Sequence, residues 1–285
     1  MRSRAWLVPA IPLAFSLALS LCTAGSAVFW QDSGFFLSAV HEMSVLYPHG
    51  FALYLILCKG WTWVVAPLAG FTLAVHLFSA LCVAGAAAFL ALAARAFLKR
   101  LDPERDGTWP AIAAACLAAA GYSYWNAAIL AKPYALFALA ASALLWLLAS
   151  AEEKRGIIAA GAVLGLAWAA HPAGALLIPA ALACAWTRRG QGVKVFALAA
   201  GAAAIAALAP SLLLAAFRGP PSVADLADPR TAGALVSHLL GSRFTEVRGA
   251  FGFDAGRWLQ AGRFAWEEFL GVGLALVLAG GWIAG

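Results

Sequence analysis

Asp32 stands where the first long apolar run of the chain ends. Residues 5–31 carry no charge, and the carboxylate is followed by Ser33-Gly34 and then by Phe35 and Phe36. With Phe29 and Trp30 on its other side, it is placed to be partly desolvated, which is the setting of a general base. The other residues able to do chemistry are few in so apolar a sequence. On the side of the membrane that the charge pattern gives to Asp32, the candidates are Glu42 with its neighbour His41, then His49, Lys132, His171, Arg230, His238 and Arg243. A carboxylate base with several cations suits a phosphate-bearing lipid substrate. The cations hold phosphate oxygens and neutralise a leaving group, while the base takes a proton from an incoming hydroxyl. Sugar transfer from a polyprenyl-phosphate carrier needs these parts at the depth of the membrane surface, because the carrier's tail stays in the bilayer.

The elements that position these residues follow from composition. Of 285 residues, 64% are hydrophobic and 11% charged, against about 25% charged in a soluble domain. The reading is an all-α, polytopic integral membrane protein. The net charge of +6 does not point to nucleic acid, because eleven of the nineteen Lys and Arg sit in short clusters between apolar runs. Arg2/Arg4, Arg95/Lys99/Arg100/Arg105, Lys154/Arg155 and Arg188/Arg189/Lys194 are predicted to be cytoplasmic. Asp32 then faces the other side, the periplasmic face if the membrane is a bacterial inner one. The first run is longer than the apolar core of a signal peptide, about 7 to 15 residues, and is read as an uncleaved helix with the N-terminus inside.

Residues 51–70 are apolar enough to span, but Lys59 lies near their centre, where a lysine costs roughly 2.5–3.5 kcal/mol. They are placed along the outer interface, which leaves the second crossing at about 71–94. Residues 156–187 would make a helix of about 48 Å, too long for a hydrocarbon core of about 30 Å. They are predicted to fold as a hairpin turning at His171-Pro172. The runs 107–131 and 133–151 form a second hairpin, with Lys132-Pro133 at its outer turn, since Pro133 removes a donor and disfavours helix at Lys132. The domain reading is a transmembrane core over 1–217 with a first outer loop at 31–70, an outer segment at 218–268, and the start of a further membrane helix at 269–285. The five cysteines, Cys22, Cys58, Cys82, Cys116 and Cys184, show no metal-site spacing and are read as small buried hydrophobes.

Each candidate also has a plainer use. Asp32 would serve as the N-cap of a helix beginning near Phe35. Glu42 and His41 would suit a solvated helix face, and Lys132 would suit snorkelling to headgroups. His171 would suit a turn, and Arg230 and Arg243 would bind lipid phosphates nonspecifically. A transporter is the weaker alternative at the level of function. It predicts polar, Gly/Pro-broken sites at the midplane of two corresponding halves, and no such repeat is present.

Six stretches occur in a telling order: WQDSGFF, YPHGFALYLILCKGW, HLFSALCVAGA, WNAAILAKPYAL, GLAWAAHPAGALLIP and ADPRTAGALVSHLLGSRF. They resemble, over roughly residues 25 to 245, the GT-C superfamily of membrane glycosyltransferases. Within it they are most similar to the transmembrane protein 260 family of protein O-mannosyltransferases and its bacterial relatives. The resemblance implies a GT-C-like helical bundle with interfacial helices on the outer face. It implies transfer of a hexose, mannose by preference, from a polyprenyl-phosphate-linked donor to a hydroxyl-bearing protein or glycan acceptor. Asp32 takes the position of the catalytic first-loop acid. His171 matches the family's HP histidine, and Asp228 and His238 match the outer-loop element. Glu42, His49, Lys132, Arg230 and Arg243 complete the expected substrate-binding set. Phe35 and Lys132 stand where the family carries glutamates, and Tyr47-Pro48-His49-Gly50 where it carries HPPG. The loss of two acidic positions fits a lone-base scheme better than one with a divalent metal. It also keeps open a catalytically inactive scaffold subunit.

Overall fold

Helices in a bilayer satisfy their own backbone polar groups, so an apolar sequence of this kind has little choice but helix. The computed structural model describes residues 5–25, 27–28, 32–46, 51–104, 106–217, 231–239 and 255–268. Among these residues the regular structure is entirely helical: α1 (Leu7–Thr23), α2 (Ser33–Glu42), α3 (Ala52–Ala69), α4 (Phe71–Leu101), α5 (Thr108–Ala120), α6 (Tyr122–Ile129), α7 (Tyr134–Ser150), α8 (Lys154–Ala170), α9 (Ile178–Thr187), α10 (Val193–Phe217), α11 (Ala232–Leu239) and α12 (Ala255–Glu268), with short 3-10 turns at Pro172–Leu177 and Arg189–Gln191. Helices α3, α4 and α10 are long and apolar enough to cross a membrane, and α1, α5 and α7 are shorter apolar helices. The protein is an all-α membrane bundle.

Helix α4 is the central post, packed by α1, α3, α5, α6 and α7. A second pair, α8 and α10, joins it through α7 and α3. Lipid supplies no hydrophobic drive between helices, so close backbone approach has to. Gly161 and Gly165, one turn apart on α8, provide it. A Cβ at either would run into the carbonyl oxygens of Ala199 and Ala203 on α10.

The directions of the helices sort the charged residues. Val8 near the start of α1 packs with Ala91 of α4 and Ala115 of α5. The carbonyl of Ala27, beyond the end of α1, lies 3.3 Å from His76 Nε2 near the start of α4. Hence α1 and α4 are antiparallel. Arg100 pairs with Glu152 at 3.8 Å, Arg188 donates to Leu148 O at 2.7 Å, and Gln191 donates to Glu152 O at 3.0 Å. The links after α4, α7 and α9 therefore share one end of the bundle with the start of α1. Asp106, in the link after α4, accepts from the hydroxyl of Thr108 at 2.7 Å and from its amide at 3.2 Å. These bonds hold the Asp106 carboxyl below its usual pKa.

The hairpin turning at His171 is present: α8 ends there, and α9 runs back until Cys184 and Arg188 reach Leu148 at the end of α7. Other boundaries differ from those read in the sequence. The run 107–131 is divided at Gly121, whose extended backbone separates α5 from α6. Helix α4 continues past residue 94 to Leu101, carrying Lys99 and Arg100 into its last turn, where cations meet the negative end of the helix dipole. Helix α3 folds back on α4 about Gly70. Trp61 Nε1 donates to Ala74 O at 2.8 Å, and Tyr54 meets Phe78 with ring centroids 5.8 Å apart. Both ends of α3 thus lie toward the end of the bundle away from the basic links, and α3 does not run its full length despite being long enough. The expected lysine penalty is relieved, because Lys59 Nζ donates to the His41 carbonyl at the end of α2. The further membrane helix expected at 269–285 lies outside the described residues, as do His49, Asp228, Arg230 and Arg243.

This arrangement predicts opposite accessibility for Phe35, which is 49% exposed, and Glu153, which is exposed in the α7–α8 link. With the exposed Cys22 replaced by Ser, a membrane-impermeant maleimide applied to intact cells labels Phe35→Cys. It labels Glu153→Cys only after permeabilisation. Labelling of both from one side contradicts these helix directions.

Candidate active site

Pro133 explains why a charged residue stands at the junction of α6 and α7. It cannot donate and it disfavours helix before it, so α6 ends at Ile129 and α7 begins at Tyr134. Lys132 lies in the short link, its amide bonded to Leu130 O at 2.9 Å. The residue is only 7% exposed, between buried Ala131 and buried Pro133. Among the described residues its ammonium has no hydrogen-bond or ion-pair partner. Most of the side chain is thus covered by protein, with no counter-charge beside it among the described residues.

His171 is the extended residue between α8 and the following 3-10 turn. Its Nδ1 accepts the amide hydrogen of Ala173 at 3.1 Å, which places the proton of the neutral imidazole on Nε2. Gly174 lets this turn press against α8, since a Cβ there would meet the backbone of Ala167 and Trp168. Three rings surround the imidazole: Tyr134 at 5.1 Å, Phe137 at 5.6 Å and Phe51 at 5.7 Å between centroids. Tyr134 is two residues beyond Lys132, so α7 brings the lysine link and the His171 turn together.

Phe51 carries the connection on to α2. Its ring meets Phe36 edge-on at 5.3 Å, and Phe36 in turn meets Tyr54 at 5.8 Å. The backbone of Phe51 is left-handed, with φ 50°. For a bulky residue this costs about 1–3 kcal/mol, and it persists only where packing enforces it. Each aromatic pair offsets about 0.5–1.5 kcal/mol, and the ring is buried among α2, α8 and its own helix. Strain in the backbone thus coincides with the residue that joins His171 to α2.

Asp32 occupies the N-terminal boundary of α2, half-buried, and its carbonyl accepts the Phe36 amide at 3.0 Å. Its carboxylate does not cap the helix. Asp32 and Lys132 do not pair with each other. Glu42 is at the other end of α2, exposed, about 15 Å along a ten-residue helix. It does not join the Phe36–Phe51–His171 cluster. His238 is buried on α11. Of the predicted set, the fold therefore gathers the α2 start, Lys132 and His171 on the side away from the basic links. Among the described residues no three His, Cys, Asp or Glu side chains are grouped to hold a metal ion. The aromatic residues Phe36, Phe51, Tyr134 and Phe137 were not singled out as site residues in the sequence. Their only signal there is adjacency to the motif residues.

Residues 32–194, more than half of the chain, match the Protein O-mannosyl-transferase TMEM260 N-terminal domain. The chain belongs to this family. The match begins at Asp32 and contains Glu42, Lys132 and His171, so the gathered residues all lie within the family domain. Asp228, Arg230, His238 and Arg243 lie beyond it. No curated protein and no solved structure matches the chain.

The burial of Lys132 gives a stability test independent of activity. Lys132→Met keeps the length and removes the unpaired charge. It is expected to leave the ligand-free protein at least as stable, read as an equal or higher Tm in detergent. A lower Tm would mean that the ammonium already has a stabilising partner.

Proposed function

We propose that the protein transfers a hexose, with mannose the preferred sugar, from a polyprenyl-phosphate-linked donor to a hydroxyl of a protein or glycan acceptor. The family supplies the reaction class. The observation that carries the reading for this chain is the largely buried Lys132, without an ion-pair partner among the described residues, in the link that leads to Tyr134 and the rings around His171. An anionic phosphate would meet that charge in a setting of low water content, where the interaction is strong. In the proposed step the acceptor oxygen bonds to the anomeric carbon and the carbon–oxygen bond to the phosphate breaks. The acceptor proton passes to the Asp32 carboxylate, and polyprenyl phosphate leaves with the negative charge. By analogy with GT-C enzymes the anomeric centre inverts. Lys132, with Arg230 and Arg243, holds the phosphate, while His171 and His238 orient phosphate or sugar oxygens.

The membrane places the donor. Its phosphate is held at the interface by its tail, and the cluster lies on the side of the bundle away from the basic links. By the distribution of positive charge that side is the outer face, with α2 and α3 at the interface. The aromatic Phe35 and the cationic Lys132, in place of two acidic residues of the family, favour chemistry by a single carboxylate. They also support the second reading, a scaffold subunit that binds lipid phosphate without transfer.

Two variants separate these readings. Asp32→Asn retains donor binding while transfer falls by at least about 10²-fold, the scale of general-base loss. Lys132→Met loses donor affinity. Transfer that persists within a fewfold in Asp32→Asn removes Asp32 from the base role. Donor binding without transfer in the unaltered protein establishes the scaffold reading.

A further inference from the structure

His76 is fully buried near the start of α4. It lies in the HLFSAL stretch, to which the proposed chemistry gives no role. Its Nε2 is 3.3 Å from the carbonyl oxygen of Ala27, and the ring also faces the backbone of Ile129. Ala27 lies five residues before Asp32, and Ile129 three residues before Lys132. One imidazole on the central helix therefore lies against Ala27, upstream of Asp32, and against Ile129 at the end of α6, upstream of Lys132. A second bond crosses the same seam: Trp125 Nε1 of α6 donates to Thr23 Oγ1 of α1 at 2.9 Å.

We propose that His76 is a positioning residue that sets the separation of Asp32 and Lys132 by holding the Ala27 and Ile129 backbones to α4. The inference rests on the roles proposed for those two residues. The physical need is clear from their surroundings. Asp32 has no capping bond to α2, and Lys132 sits in a non-helical link. Neither charge fixes its own segment, and neither is drawn to the other by an ion pair. The backbone must be fixed from a rigid element, and α4 is the helix that both segments pack against. A buried polar side chain within hydrogen-bonding distance of one backbone segment and set against a second gives that constraint direction as well as energy. A histidine that merely satisfied its own polar atoms would leave the spacing unchanged when replaced.

The test uses the full chain with the exposed Cys22 replaced by Ser. Spin labels at Phe35→Cys and Tyr134→Cys, positions that are 49% and 46% exposed, report the distance between the α2 start and the lysine link. His76→Leu is expected to broaden and shift this distance distribution. His76→Gln, whose amide places a donor where Nε2 stands, restores a narrow one. In transfer assays His76→Leu lowers kcat by about 10²-fold, the cost of a small misplacement of reacting groups, with donor KM little changed, and His76→Gln recovers most of it. If the Leu variant is not recovered from membranes, His76→Asn replaces it, because its shorter amide falls short of Ala27 O. An unchanged distance distribution in the Leu or Asn variant overturns the proposal. A transfer rate that is insensitive to Asp32→Asn would instead sink the functional reading, while the label distances would still decide whether His76 sets the spacing.

Discussion

A lysine that is only 7% exposed, with no ion-pair partner among the described residues, is the constraint around which the described part of this protein is organised. Lys132 owes its place to Pro133, which ends one helix and begins the next. The surroundings make the position hard to escape, because Ala131 and Pro133 are buried on either side and α7 is packed along α4. The link Lys132 occupies leads into Tyr134, whose ring meets the His171 imidazole at 5.1 Å, and that histidine is oriented by a backbone amide.

The aromatic cluster converts that local feature into a site. Phe51 lies between His171 and Phe36, so the position of α2 depends on the turn after α8, which in turn depends on close packing of α8 against α10. Four separated parts of the sequence are thereby coupled: the start of α2, the start of α3, the α6–α7 link and the α8–α9 turn. The left-handed backbone at Phe51 is a local cost accepted where these parts meet. The ends of α4, α7 and α9 are tied by Arg100, Arg188 and Gln191 at the opposite end of the bundle. That end is secured by polar bonds, and the candidate site end by rings and buried polar contacts.

Much of this was legible in the sequence, and the limits have physical reasons. Membrane character followed from the uncharged runs. The turn at His171 followed from helix length against bilayer thickness, and the break at Lys132 from proline. Those are local properties. The fold-back of α3 was not legible, because Lys59 finds its partner eighteen residues away, on the carbonyl of His41. The link from His76 to Ala27 spans 49 residues, and no periodicity announces it. The division at Gly121 was hidden because one glycine in an apolar run is tolerated in a helix as often as it breaks one. Asp32 was legible as a residue of interest, but whether it capped α2 required the side-chain geometry. The family match over residues 32–194 confirms the resemblance read from the ordered motifs.

The claim that Lys132 awaits a lipid phosphate is tested most directly by imaging the protein in nanodiscs with polyprenyl phosphate by cryo-electron microscopy. The expected result is phosphate density within hydrogen-bonding distance of Lys132 Nζ, on the side facing His171 and the start of α2. Polyprenyl phosphate bound elsewhere, with Lys132 enclosed by protein atoms alone, would contradict the claim.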